Sequence, residues 1–99
     1  MYIIVDERLY MKELIVEIAN EQGLHARPSG EIVKIVRKYN SDLKIIKGDM
    51  EVDGKSIMEL MTLAALKGEK LLLKANGEDE NWLLKELQEL IEINKFFED

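Results

Sequence analysis

Apolar and polar residues alternate from Glu13 to Ala19, with Leu14, Val16 and Ile18 on one side and Glu13 and Glu17 on the other. A period of two is that of a half-buried strand. After a loop over 20–24 the spacing changes. From Ala26 to about Tyr39, Ile32, Val33, Val36 and Tyr39 recur at helical intervals, which predicts an amphipathic helix stopped by Asn40-Ser41-Asp42. Leu43 to Lys47 reads as a strand, Gly48-Asp49 as a tight turn, and Met50 to Asp53 as the hairpin partner. Gly54-Lys55 then leads into a short helix from about Ser56 to Ala65, with Gly68 as its left-handed cap. Leu71 to Ala75, apolar except for Lys74, is placed in the middle of a sheet. The last helix follows Asn76-Gly77-Glu78-Asp79. Its buried stripe is Leu83, Leu87, Leu90 and Ile91, and its acidic first turn suits the positive end of the helix dipole. The order β-α-β-β-α-β-α predicts an α+β open-faced β-sandwich, a four-stranded antiparallel sheet covered on one face by three helices.

Ninety-nine residues with 46% hydrophobic content make one small domain, assigned to residues 11–99. Residues 1–10 form an extension holding the apolar patch Tyr2-Ile3-Ile4-Val5. They lack the basic start and the small-residue cleavage site of a signal peptide. This extension adds an edge strand or a dimer contact, or else precedes a start at Met11. The absence of cysteine excludes disulfides, thiol catalysis and Cys-ligated zinc, and a single histidine excludes a His-rich metal site within one chain. Neither a metal nor another cofactor is expected. A formal charge of −6 makes nucleic acid a poor partner, and no apolar run is long enough to insert in a membrane. The expectation is a cytoplasmic monomer. The acidity is uneven. Residues 26–38 carry Arg27, Lys34, Arg37 and Lys38 against Glu31, a basic face able to steer an acidic partner.

Chemistry concentrates around the one histidine, in Gly23-Leu24-His25-Ala26-Arg27-Pro28. Gly23 permits positive φ, and Pro28 fits the first turn of a helix, where its missing N–H does no harm. His25 is thereby placed at a helix start, where unpaired backbone N–H groups and the dipole favour an anion. Arg27 lies within reach of an anion held on the imidazole. A second motif, Ser56-x-x-Glu59, has the form of a capping box, with the hydroxyl on the Glu59 N–H and the carboxylate on the Ser56 N–H. Gly54-Lys55-Ser56 is not the end of a phosphate-binding loop, because Asp49 stands where that motif needs glycine. Trp82, Phe96 and Phe97, at the ends of the last helix, read as packing or fraying residues.

The hexapeptide is similar to the active-site signature of HPr, the histidine-containing phosphocarrier family of the bacterial phosphoenolpyruvate:sugar phosphotransferase system. The resemblance covers about residues 11–99, element order included. It implies a phosphoryl carrier rather than an enzyme. His25 would accept the group on Nδ1 from Enzyme I and pass it to sugar-specific IIA proteins. It implies that Arg27 and the N–H groups at Ala26 and Arg27 hold the phosphoryl oxygens. Ser29 stands where family members commonly have alanine, and its hydroxyl either donates to the phosphoryl group or solvates the helix start. Lys34 and Arg37 would orient acidic partners, and Ile57, Met58 and Met61 would pack at the interface. The segment Lys55-Ser56-Ile57-Met58-Glu59-Leu60-Met61 resembles the family's regulatory-serine region. Ser56 is therefore the candidate for phosphorylation by an HPr kinase/phosphorylase, and a transcriptional regulator is a candidate partner of that form. Many relatives carry glycine where Glu59 stands, and an acid there would repel a phosphate on Ser56. The alternative within the resemblance is a regulatory binding module, either a serine-phosphorylated corepressor or a nitrogen-branch relative.

Overall fold

The computed structural model describes residues 11–98. Four strands, β1 (Met11–Glu17), β2 (Ser41–Lys47), β3 (Met50–Asp53) and β4 (Lys70–Gly77), form one antiparallel sheet in the order β1-β4-β2-β3. Three helices, α1 (Ala26–Val36), α2 (Ile57–Thr62) and α3 (Glu80–Gln88), complete the open-faced sandwich read from the sequence. The strand holding Leu71 to Ala75 lies inside the sheet as expected, with β4 between β1 and β2. The questions raised by residues 1–10 lie outside the described residues.

Register explains the core. Leu14, Leu73, Ile45 and Val52 sit opposite one another on successive strands, so one inward row crosses the whole sheet. The helices add Ile32, Val33 and Val36 from α1, Leu60 from α2, and Leu83, Leu84 and Leu87 from α3, all buried. The neighbouring row of Ile15, Leu72 and Ile46 belongs to the open face, where Ile15 is exposed. Two residues, Gly48 and Asp49, close the β2–β3 hairpin, and Gly48 has the positive φ of +59° that such short turns require.

Two helix ends differ from the periodic reading. α1 stops at Val36 instead of continuing to Tyr39, and α2 stops at Thr62 instead of Ala65. The apolar spacing misleads at α2, because Leu63 is already its C-cap and the backbone turns away at Ala64, φ +50°, before Ala65 enters the core. Gly68 has positive φ (+90°), but it turns the chain into β4 and donates its N–H to the Ile18 carbonyl at 2.8 Å, so it does not cap α2. Lys47 Nζ instead donates to the carbonyls of Leu63 and Ala64 at 2.9 and 3.3 Å, supplying a cation at that helix end.

The end of α1 is fastened to α3 through Glu86, which accepts from Lys38 Nζ and from the Tyr39 hydroxyl, both at 2.5 Å. The bond to Glu86, with burial behind it, pushes the Tyr39 phenol from 10.0 up to about 12. Because the folded value lies above the unfolded one, the contribution of this bond is whole below pH 10.0 and is lost as pH rises through about 12. The ultraviolet difference titration between wild type and Tyr39→Phe is expected to show one phenol ionising near pH 12. A midpoint at the ordinary phenol value would refute the bond.

Candidate functional site

The loop between β1 and α1 is built around two residues. Asn20 is buried, and its Nδ2 donates to the Gly23 carbonyl at 2.8 Å. Gly23 has φ +71°, and a Cβ there would run into the Ala65 carbonyl, so the position excludes side chains twice over. Leu24 donates its N–H to that same Ala65 carbonyl at 2.9 Å and buries its side chain. The loop is thus docked on the turn after α2, and the next residue emerges at a fixed place.

That residue, His25, is the N-cap of α1, in extended backbone with φ −89° and ψ −166°. Its carbonyl accepts from the Ser29 N–H at 3.0 Å, the first turn of the helix. Its ring makes no capping bond, leaving the side chain for other work. Ala26 and Arg27 lead the helix, so their N–H groups have no carbonyl one turn behind them. Pro28 occupies the first turn, as the sequence reading requires. Ser29 is different. It is fully buried, and its hydroxyl has no hydrogen-bond partner among the described residues. Ser29 falls in line with Ile32 and Val36 on the inward face of α1.

A group that sequence reasoning missed completes the site. After α3 the chain widens into a π-type turn over Glu89–Ile93 and then turns left-handed, with Lys95, Phe96 and Phe97 at φ +48°, +55° and +59°. Phe96 enters the core while Phe97 remains exposed. Glu98 comes back over the start of α1. One carboxylate oxygen lies 2.9 Å from His25 Nε2 and 3.1 Å from an Arg27 guanidinium nitrogen, and the other accepts from Asn20 Nδ2 at 2.9 Å. Arg27 also donates to the Phe96 carbonyl at 2.8 Å. Burial opposes the Glu98 charge, but the bonds from Asn20, His25 and Arg27 outweigh it and hold the carboxyl below its usual range. An acid near the end of a chain carries no local signal of such a role.

Beside the site, a shallow groove of about 450 Å³ runs between α1 and α2, lined in part by Ala26, Gly30, Lys34, Arg37 and Ile57. Ile57, Met58 and Met61 are exposed on α2. Of the residues expected at an interface, Lys34, Arg37 and Ile57 thus line one groove with Ala26 and Arg27. Ser56 is the N-cap of α2, and its hydroxyl accepts from the Glu59 N–H at 3.2 Å. The reciprocal half of the capping box is not made. The Glu59 carboxylate accepts from the Asp53 N–H at 3.0 Å, and the Ser56 N–H turns to the Asp53 carbonyl. With one cap bond at stake, Ser56→Ala is expected to lower stability by about 1 kcal/mol, and Ser56→Asp, which keeps an acceptor, by less. Urea denaturation of the two variants checks this.

An open-faced sandwich with a histidine at the N-cap position of its first helix and an arginine two residues on has the arrangement of a small phosphocarrier domain. The family model described as "PTS HPr component phosphorylation site" matches residues 12–93. A phosphocarrier protein HPr of Borreliella burgdorferi is 44% identical over 81 residues, covering 82% of this chain and 92% of its own. One from Xylella fastidiosa is 38% identical over 89 residues, covering 90% and 99%. Among solved structures, HPr-C-His from Thermoanaerobacter tengcongensis aligns with a TM-score of 0.83 at 41% identity, over 89% of this chain and 98% of that one. The chain belongs to the HPr family and is a phosphocarrier component of the phosphotransferase system. No helix among the described residues is long and apolar enough to cross a membrane.

Proposed function

We propose that His25 accepts a phosphoryl group from a phosphohistidine of Enzyme I and passes it to a histidine of a sugar-specific IIA protein. The observation that carries this is the ring of His25, free of any capping duty at a helix start and adjacent to Arg27. In each transfer an imidazole nitrogen attacks phosphorus and the bond from phosphorus to the donor nitrogen breaks. Both rings keep the proton on their other nitrogen, so no base is required. The energetic task is to position the reactants and hold the oxygens of the moving group. Arg27 and the leading N–H groups of α1 supply donors for those oxygens. Lys34 and Arg37 attract acidic partner surfaces, and Ile57, Met58 and Met61 offer adaptable apolar contact.

The test combines the chain with Enzyme I and labelled phosphoenolpyruvate. Acid-labile label on the wild-type protein, transferable to a IIA protein, is the expected result. No uptake with several Enzyme I homologues would overturn the proposal. An ATP-dependent phosphoserine at Ser56 with no label at His25 would instead support the regulatory-module reading.

A further inference from the structure

We infer that Glu98 is a positioning residue for His25, fixing the proton on Nε2 and so presenting the Nδ1 lone pair for phosphoryl transfer. The inference rests on the reading of His25 as the phosphoryl acceptor. Its starting point is a count of donors. The carboxylate of Glu98 meets Asn20 Nδ2, an Arg27 guanidinium nitrogen and His25 Nε2. The first two are donors under all ordinary conditions. They converge on a side chain only 16% exposed, which suits an ionised, acceptor-only carboxylate. An ionised carboxylate cannot donate to Nε2. The contact at 2.9 Å therefore requires a proton on Nε2, and in the neutral ring this leaves the lone pair on Nδ1.

The carboxylate also has the right charge for the reaction. As Nδ1 attacks, positive charge grows on the ring, and the acceptor at Nε2 strengthens its bond as that happens. A carboxylate holding the far nitrogen of a reacting imidazole acts similarly in the serine-protease triad. Glu98 is itself held on both sides. Asn20 anchors one oxygen from the buried loop, and the left-handed turn fixes the backbone before it through buried Phe96. Glu98 touches neither the reacting nitrogen nor the group in transit, so its action runs entirely through the ring.

The test uses Glu98→Ala in the full chain and two readouts. The first is nitrogen-15 NMR of the neutral His25 ring in unphosphorylated protein. Wild type is expected to hold the Nε2–H form almost exclusively, and E98A to relax towards the mixed tautomers of a free imidazole. The second is the initial rate of phosphoryl uptake from Enzyme I, expected to fall on the order of tenfold, as befits one charge-assisted hydrogen bond strengthened during reaction. Asn20→Ala, which leaves the carboxylate in place but less firmly held, should shift both readouts in the same direction by less. An unchanged melting temperature for E98A shows that packing is intact; if E98A unfolds, N20A carries the comparison. An Nδ1–H ring in wild type, a tautomer ratio indifferent to the variants, or a normal rate despite an altered ratio each overturns the inference. Because the NMR readout needs no phosphoryl transfer, it remains informative if the carrier reading itself fails.

Discussion

Replacing His25 with alanine is expected to abolish phosphoryl uptake altogether while leaving the fold in place. The chain has one histidine and no cysteine, so no other side chain offers a comparable nitrogen or sulfur nucleophile. The fold survives because the ring makes no capping bond and is 36% exposed; its loss removes one bond to Glu98 and should lower stability by about 1–3 kcal/mol. Arg27→Ala is expected to behave differently. It keeps the nucleophile and removes a donor to the phosphoryl oxygens, so uptake should slow by about 10²–10³-fold, the usual loss for one such donor. Acid-labile label followed over time separates the two outcomes, since H25A gives no amplitude and R27A gives a slow approach to a normal one. Label retained by H25A would place the chemistry elsewhere in the chain.

The largest expected loss of stability is at Phe96. Its ring is fully buried, and truncation to alanine in a core ordinarily costs about 3–5 kcal/mol. The backbone raises the stakes. Three consecutive residues without glycine, Lys95 to Phe97, sit at positive φ, and left-handed backbone costs roughly 1–2 kcal/mol for each such residue. That demand is of the same size as the gain from burying the ring. Without the ring the turn has only the bonds of Arg27 and Glu98 to hold it, and it is expected to open. F96A should therefore lose about 3–5 kcal/mol in urea denaturation and also release the His25 tautomer as E98A does. Phe97→Ala is the control. Its side chain is 73% exposed, and its loss should stay within about 0.5 kcal/mol. If F96A loosened stability but left the His25 ring unchanged, the tail would not depend on that anchor.

Much of the fold was legible because it follows from short periodicities. Alternation in Leu14, Val16 and Ile18 and the helical spacing of Ile32, Val33 and Val36 each report a buried face within one element. The reading failed where apolar spacing has two geometric solutions. Leu60, Leu63 and Ala65 are compatible with a continuing helix, yet the chain leaves the helix after Thr62 and buries Leu63 and Ala65 from a turn. The burial of Ser29 was likewise not legible: four places along α1 from the cap, it lies on the inward face in this register.

What the sequence by itself determined is the local constellation: a glycine that must turn, a histidine at the helix start, an arginine two residues on and a basic helix behind them. All of these lie within one short stretch, where backbone geometry relates neighbours directly. The tertiary structure alone decided what surrounds the ring. Asn20 and Glu98 are 78 residues apart and His25 and Glu98 are 73 apart, and no periodic pattern connects them. They meet because the core accepts Phe96 and rejects Phe97, and because that choice bends the tail back over α1. Such a choice depends on the shape of the space left by every other element, which exists only once the sheet and helices have packed.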